Sequence, residues 1–284
     1  MTFIDTHCHP YLSKQKHETN TIKNFADAGG SFFVSIWIDV KTSRQSLDLA
    51  RKYDFARTTA WIHPCDVYDL DLLSSIQSLE KLYLENKDKV VAIWETGLDY
   101  YWMIKDAEKL VGSIQDGTKR EKLQAKYILE KKSLQKILFR AQIQLAKTYN
   151  LPLIIHNRDA KEDILNILKE EDYQNFIMHC FAEDLDFANA CIDFAPDCKI
   201  SFSWIVTFKN ATAIQETAKN IPLKNIIIET DTPYLTPVPH RGKEENEPAY
   251  TQYVLKKIQE LRTEDPKLIE NQILKNSKKV FKIS

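Results

Sequence analysis

The sequence predicts an α/β chain folded as a (β/α)8 barrel, and three observations lead there. Eight short apolar runs, at 3–4, 32–38, 58–62, 90–94, 153–155, 176–178, 199–202 and 226–228, alternate with amphipathic or charged stretches. Strand-then-helix repetition along a whole chain builds a parallel sheet with helices outside it. Eight such units in 284 residues fit a closed barrel better than an open doubly wound sheet. Finally, the residues able to do chemistry stand at the C-terminal ends of the apolar runs, where a barrel places its active site.

Taken in order, each run is bounded by what ends it. The first two runs are separated by a polar stretch, and helical patterns fill 43–53, 70–85, 133–149, 161–171 and 212–220 between later runs. Residues 104–132 are charged and contain no strand run, which predicts a helical insertion after the fourth strand. An arm over the active-site mouth and a surface insertion both suit that segment. Two closing helices are expected at 248–262, with Tyr250, Val254 and Ile258 four residues apart, and at 266–281. No shift of composition marks a linker, so residues 1–284 are expected to form a single domain.

Composition removes several function classes. Hydrophobic residues make up 43% and charged residues 28%, the balance of a globular chain rather than a disordered one. Lys and Arg total 39 against 40 Asp and Glu, a formal net charge of −1, so a polybasic coat for nucleic acid or membrane is absent. No apolar run approaches the roughly 20 residues of a membrane helix, and Met1 to His7 lack the basic and apolar regions of a secretory signal. A cytoplasmic location is expected. The five cysteines, Cys8, Cys65, Cys180, Cys191 and Cys198, are scattered without a Cys-x-x-Cys pair, which argues against disulfides and a thiolate zinc site.

The strand ends carry the chemistry. The first run ends in Asp5-Thr6-His7-Cys8-His9. Side chains alternate along a strand, so His7 and His9 share a face and can chelate one cation. The other runs meet His63, Glu95, His156, His179 and the Glu229-Thr230-Asp231 triplet. Unpaired buried charge is costly, and bound cations neutralise such a set most economically. His7, His9, His156, His179, Glu95 and Asp231 are nitrogen and oxygen donors for two divalent ions, with Mg2+, Mn2+ and Zn2+ all compatible. The two oxygens of Glu95 can bridge a metal pair, which activates water and clamps a phosphate.

These residues resemble a known family. Asp5 to His9, Glu95-Thr96-Gly97-Leu98-Asp99, 151–160 with His156, Met178-His179-Cys180-Phe181, 229–235 and Pro237 to Gly242 followed by Asn246 to Pro248 are similar, in order, to the signatures of TatD-type metal-dependent deoxyribonucleases. The resemblance spans nearly the whole chain. It implies a TIM-like barrel of the metal-dependent hydrolase type acting on DNA phosphodiesters. It implies that His7, His9, Glu95 and Asp231 hold one metal, and that Glu95, His156 and His179 hold the second. Asp231 would orient or deprotonate the attacking water. His63 would contact substrate rather than metal. Arg158 and Arg241 have guanidinium forks suited to phosphate, or pin loops.

Other residues carry two readings each. Asp99 and Asp159 are second-layer partners of a ligand histidine or helix N-caps. Tyr100, Tyr101 and Trp102 stack on a base or pack in the core. Cys8 and Cys180 alternate away from the ligands beside them and are expected to pack.

The chain departs from the family at Trp37, Trp61, Trp94 and Trp204, where the family usually has glycine; Trp102 does not share this pattern. Overpacking of this kind costs about 1–3 kcal/mol per site, against a total stability of roughly 5–15 kcal/mol. Only 6 of 284 residues are Gly, and Lys outnumbers Arg 31 to 8, as AT-rich coding DNA would give. A code in which UGA means glycine, read as tryptophan, would account for these tryptophans, and both features of the composition agree with it. Genuine substitution with compensating neighbours is the alternative.

The expected activity is 3′-exonuclease cleavage of single-stranded or frayed DNA by a monomer, with no membrane partner. A related barrel could instead hydrolyse an ester or amide, such as a D-amino acid on tRNA. A non-catalytic binding protein should have lost a ligand, and all six are present.

Overall fold

The structure is a computed structural model that describes residues 1–37, 40–60, 62–69 and 71–283; Trp61 lies outside the described residues. The strands are β1 (Phe3–Cys8), β2 (Gly30–Ser35), β3 (Ala56–Ala60), β4 (Val90–Asp99), β5 (Leu153–Arg158), β6 (Phe176–Met178), β7 (Lys199–Phe202) and β8 (Ile226–Ile228). All neighbours pair in parallel, in chain order from β1 to β8. The ring is drawn shut by a parallel bridge between Cys8 and Thr232, with Asp231 N donating to His7 O at 2.9 Å and His9 N to Thr232 O at 2.8 Å. The expected (β/α)8 barrel is the fold.

The helices are α1 (Glu18–Asp27), α2 (Val40–Lys52), α3 (Leu72–Glu85), α4 (Tyr100–Val111), α5 (Gly117–Tyr149), α6 (Lys161–Glu170), α7 (Leu185–Phe194), α8 (Thr212–Asn220), α9 (Thr251–Leu261) and α10 (Pro266–Val280). The segment 104–132 lies in α4, a short turn and the first half of α5. No Gly or Pro interrupts 118–149, so the insertion continues into the packed half of α5 without a break. Asp116 caps the start of α5 by accepting from Lys119 N, and Asn150, with φ +52°, ends it. None of the described helices is long and apolar enough to cross a membrane.

Alternation along the strands divides the core in two. Ile4, Phe32, Val34, Ile36, Ala92, Trp94, Ile154, Ile177 and Ile227 fill the barrel, with Val280 and Phe281 of the last helix packed against them. Phe3, Phe33, Ile93, Leu153, Ile155, Ile226 and Ile228 face the helices. In β4 the pairing with β5 slips between Ile93 and Thr96, three positions against two. Such a bulge re-aims side chains, and it lets both Trp94 and its neighbour Glu95 reach the interior. Trp37 and Trp94 are fully buried, and neither indole N–H finds a partner among the described residues. An unmet buried donor costs about 1–3 kcal/mol.

Candidate metal centre

The C-terminal ends of the strands bring together every residue singled out at them. From β1 and the residue after it, His7 Nε2 and His9 Nε2 lie 3.0 Å apart. Asp231, just beyond β8, places Oδ1 3.3 Å from His7 Nε2 and 3.8 Å from His9 Nε2. A second cluster surrounds Glu95 on β4. Its Oε1 is 2.8 Å from His156 Nδ1, 3.6 Å from His63 Nε2 and 3.9 Å from His179 Nε2.

The loop holding Asp231 is fixed from behind. Asp231 has φ +59°, a left-handed conformation uncommon outside Gly, Asn and Asp. The buried Asn246 amide donates to Thr230 O at 2.9 Å, Tyr234 O at 2.7 Å and Leu235 O at 3.1 Å. The Asp5 carboxylate accepts from Thr230 N at 3.0 Å and from Thr230 Oγ1 at 2.6 Å, joining β1 to the same loop.

Hydrogen bonds to the far ring nitrogens assign roles to the imidazoles. His9 Nδ1 donates to Ile36 O at 2.9 Å, leaving its Nε2 lone pair facing His7 and Asp231. His156 Nε2 pairs with Asp99 Oδ2 at 3.1 Å, leaving Nδ1 toward Glu95. His179 Nδ1 lies 2.7 Å from Glu229 Oε1, the carboxylate behind that ring, which against burial raises the histidine above its ordinary value. His63 differs, because its Nδ1 accepts from Cys65 N at 3.1 Å. Its proton therefore sits on Nε2, a donor aimed into the cleft rather than a lone pair for a metal.

Burial and neighbouring charge set the ionisation. Burial carries His7 well below the usual imidazole value and His9 and His63 down to about 4. Burial pushes Asp5 up to about 8 and Asp231 up to about 7. At His156 burial is outweighed by Asp99 and Glu95, which raise it to about 10. Burial also acts against ionised Glu95, but His63, His156 and His179 hold its carboxyl well below the usual range. Imidazoles and crowded carboxylates buried together are a donor set for hard or borderline divalent cations, with His156 giving up its proton when a metal binds. The residues present therefore fit a metal pair.

A cleft of about 660 Å3 opens over these groups. His9, His63, Glu95, His156, His179 and Asp231 line it, with Arg158, Trp102, Trp204 and Tyr234 nearer the mouth. Arg158 stacks over Tyr101 at 4.1 Å and Trp102 at 5.5 Å. Arg241 does not line the cleft; its guanidinium lies 3.6 Å over the Phe208 ring. Tyr100 is buried, with its hydroxyl on Asp163 at 2.6 Å, whereas Trp102 is 45% exposed. Asp159 is exposed with φ +56°, and Ala160 rather than Asp159 holds the N-cap of α6. Asp99 fills both roles open to it, since Oδ1 accepts from Trp102 N at 2.9 Å and caps α4.

The packing expected of both cysteines holds for Cys8 alone, which is buried with Sγ toward Val34 O. Cys180 instead lines the cleft beside His179. Strand β6 stops at Met178, so alternation no longer applies, and at φ +41° Cys180 turns inward to meet Ser203 Oγ at 3.0 Å.

The family model of TatD related DNase matches residues 4–282 of this chain. The chain belongs to the TatD family. It is 36% identical to the uncharacterized metal-dependent hydrolase YabD of Bacillus subtilis, over 99% of both chains. It is 34% identical to the uncharacterized metal-dependent hydrolase YcfH of Escherichia coli, covering 88% of this chain and 84% of that one. In fold it matches the crystal structure of YjjV, a TatD homologue from Escherichia coli, with a TM-score of 0.81 at 24% identity, over 99% and 98% of the two chains. This TatD-family protein is a metal-dependent hydrolase.

Two TatD-site residues escaped assignment from sequence. Glu229 accepts from Cys180 N at 2.7 Å and Ser201 Oγ at 2.5 Å while facing His179, and so orients that ring. Asp5 anchors the Asp231 loop. The signal for Glu229 was its place at a strand end, directly before Thr230 and Asp231. For Asp99, replacement by Asn keeps the α4 cap but removes the charge behind His156. Asp99→Asn is expected to weaken Mn2+ binding by about 10–100-fold, read by titrating Mn2+ into metal-stripped protein, with little change in helix content by circular dichroism.

Proposed function

We propose that the site hydrolyses DNA phosphodiesters, releasing nucleotides from the 3′ end of single-stranded or frayed DNA, and that the chain works as a monomer. The observation that carries this reading is the placing of Asp231 Oδ1 beside His7 and His9 on the wall of a cleft whose mouth holds Arg158. Bound divalent ions would supply Lewis acidity, acidifying a water and offsetting charge on the phosphate. Asp231 receives the proton of the attacking water. The His63 Nε2–H donates to a phosphate oxygen, and Arg158 offsets charge at the entrance. Trp102, half out of the protein beside Arg158, offers a base a stacking face. A formal net charge of −1 suits a local grip on a strand end better than coverage of a duplex.

The test is loss of 3′ nucleotides from 5′-labelled single-stranded DNA with Mg2+ or Mn2+, with EDTA, and with a blocked 3′ end. A ladder that needs metal and a free 3′ end is expected. No cleavage by folded, metal-loaded protein that does release D-amino acids from tRNA would replace this reading with the ester hydrolase.

A further inference from the structure

Trp94 packs at right angles to the rings of both His7 and His179 inside the barrel. Its ring centroid is 3.7 Å from that of His7 and 4.4 Å from that of His179, and the two imidazoles stack on each other at 3.8 Å. Aromatic rings pack comfortably with centroids about 4.5–7 Å apart. Three rings are compressed into a space that suits fewer.

Hydrogen bonding shows the result. His9 and His156 each have their second ring nitrogen hydrogen-bonded, to Ile36 O and to Asp99. Of the two imidazoles that press on Trp94, His179 has Glu229 Oε1 2.7 Å from its Nδ1, but Nδ1 of His7 is buried with no hydrogen-bond partner among the described residues. An imidazole needs that second bond to aim its lone pair at a metal. The indole gains nothing in return, since its own N–H is buried and unpartnered.

The same defect recurs at Trp37 and Trp204, whose indole N–H groups are also buried without a partner. Both stand two residues past a strand, β2 and β7, and Trp94 stands in the bulge of β4. Buried indoles ordinarily find an acceptor. Among the described tryptophans, Trp102, 45% exposed on α4, is the one without this fault. A residue with no side chain removes all three defects, and glycine is scarce here, 6 in 284 residues.

We propose that the side chain at position 94 sets how tightly the centre holds its metal ions: the indole weakens the hold, and the working protein carries glycine at 94, as at 37 and 204, from UGA codons read as glycine. This rests on the chain being a metal-dependent hydrolase and not on DNA as its substrate.

In the gene, UGA at codons 37, 94 and 204 with UGG at 102 is the expected result, and UGG at codon 94 overturns the proposal. In the protein, Mn2+ is titrated into the metal-stripped full chain as written, into Trp94→Gly, and into the triple variant Trp37→Gly, Trp94→Gly, Trp204→Gly. The glycine forms are expected to bind at least about tenfold more tightly, and the triple variant to melt higher in EDTA than the chain as written. Equal affinity in the folded proteins overturns the proposal. If Trp94→Gly alone does not fold, the triple variant decides, and a triple variant both less stable and no tighter for Mn2+ also overturns it. No substrate enters these readouts, so failure of DNA cleavage is a separate result.

Discussion

Asp231→Asn is expected to lower the rate of metal-dependent hydrolysis by about 10^2–10^4-fold, the range for loss of a positioned general base. The substitution is chosen to spare the fold. At φ +59° the backbone is left-handed, and Asn is among the few residues that accept it. The Asp231 N–H donates to His7 O and Asn246 holds the carbonyls around it, contacts that an amide side chain leaves alone. The carboxylate is 19% exposed, so it meets the cleft rather than the core. Burial raises it to about 7, where it can take a proton from an acidified water. Initial rates on labelled oligonucleotide and a thermal melt of the same preparation check this. An unchanged melt with the rate lost assigns the chemistry to Asp231, and a rate within a few-fold of the parent removes Asp231 from it.

Much of this was legible in the sequence because the barrel repeats a simple pattern. Neighbouring apolar residues divide cleanly between interior and helix-facing layers, as Ile4 against Phe3 and Ile154 against Leu153 and Ile155. Polar groups at the ends of such strands have one place to go. Legibility failed where the strand stopped. Cys180 was assigned by alternation, but β6 is three residues long and the chain has already turned. Residues 104–132 read as a helical insertion after the fourth strand, and they are helical; the absence of Gly and Pro from 118–149 is the signal that the helix runs on into its packed half. Glu229 was hidden by Asp231 two positions on, since spacing cannot tell a carboxylate facing the cleft from one facing a histidine's back.

Glu95→Ala should have the larger effect, because one side chain faces three imidazoles. Its Oε1 faces His156, His63 and His179 at once. Removing it takes a shared anion from a buried set of imidazoles, so Mn2+ uptake should fall and the hydrolysis rate drop by about 10^3-fold or more. Without metal, the same carboxylate helps hold His156 up to about 10 from an ordinary 6.5. A raised histidine stabilises the fold fully below pH 6.5, and that contribution is lost as pH rises through about 10. Metal-stripped parent should therefore lose melting temperature across that window more steeply than Glu95→Ala, whose His156 keeps Asp99 alone. Mn2+ replaces the His156 proton, so metal uptake at neutral pH should release protons, measurable as a buffer-dependent heat in calorimetry. Parallel pH–melting curves for parent and variant would show that Glu95 does not control His156, and a heat of binding independent of buffer would show that no proton leaves when the metal binds.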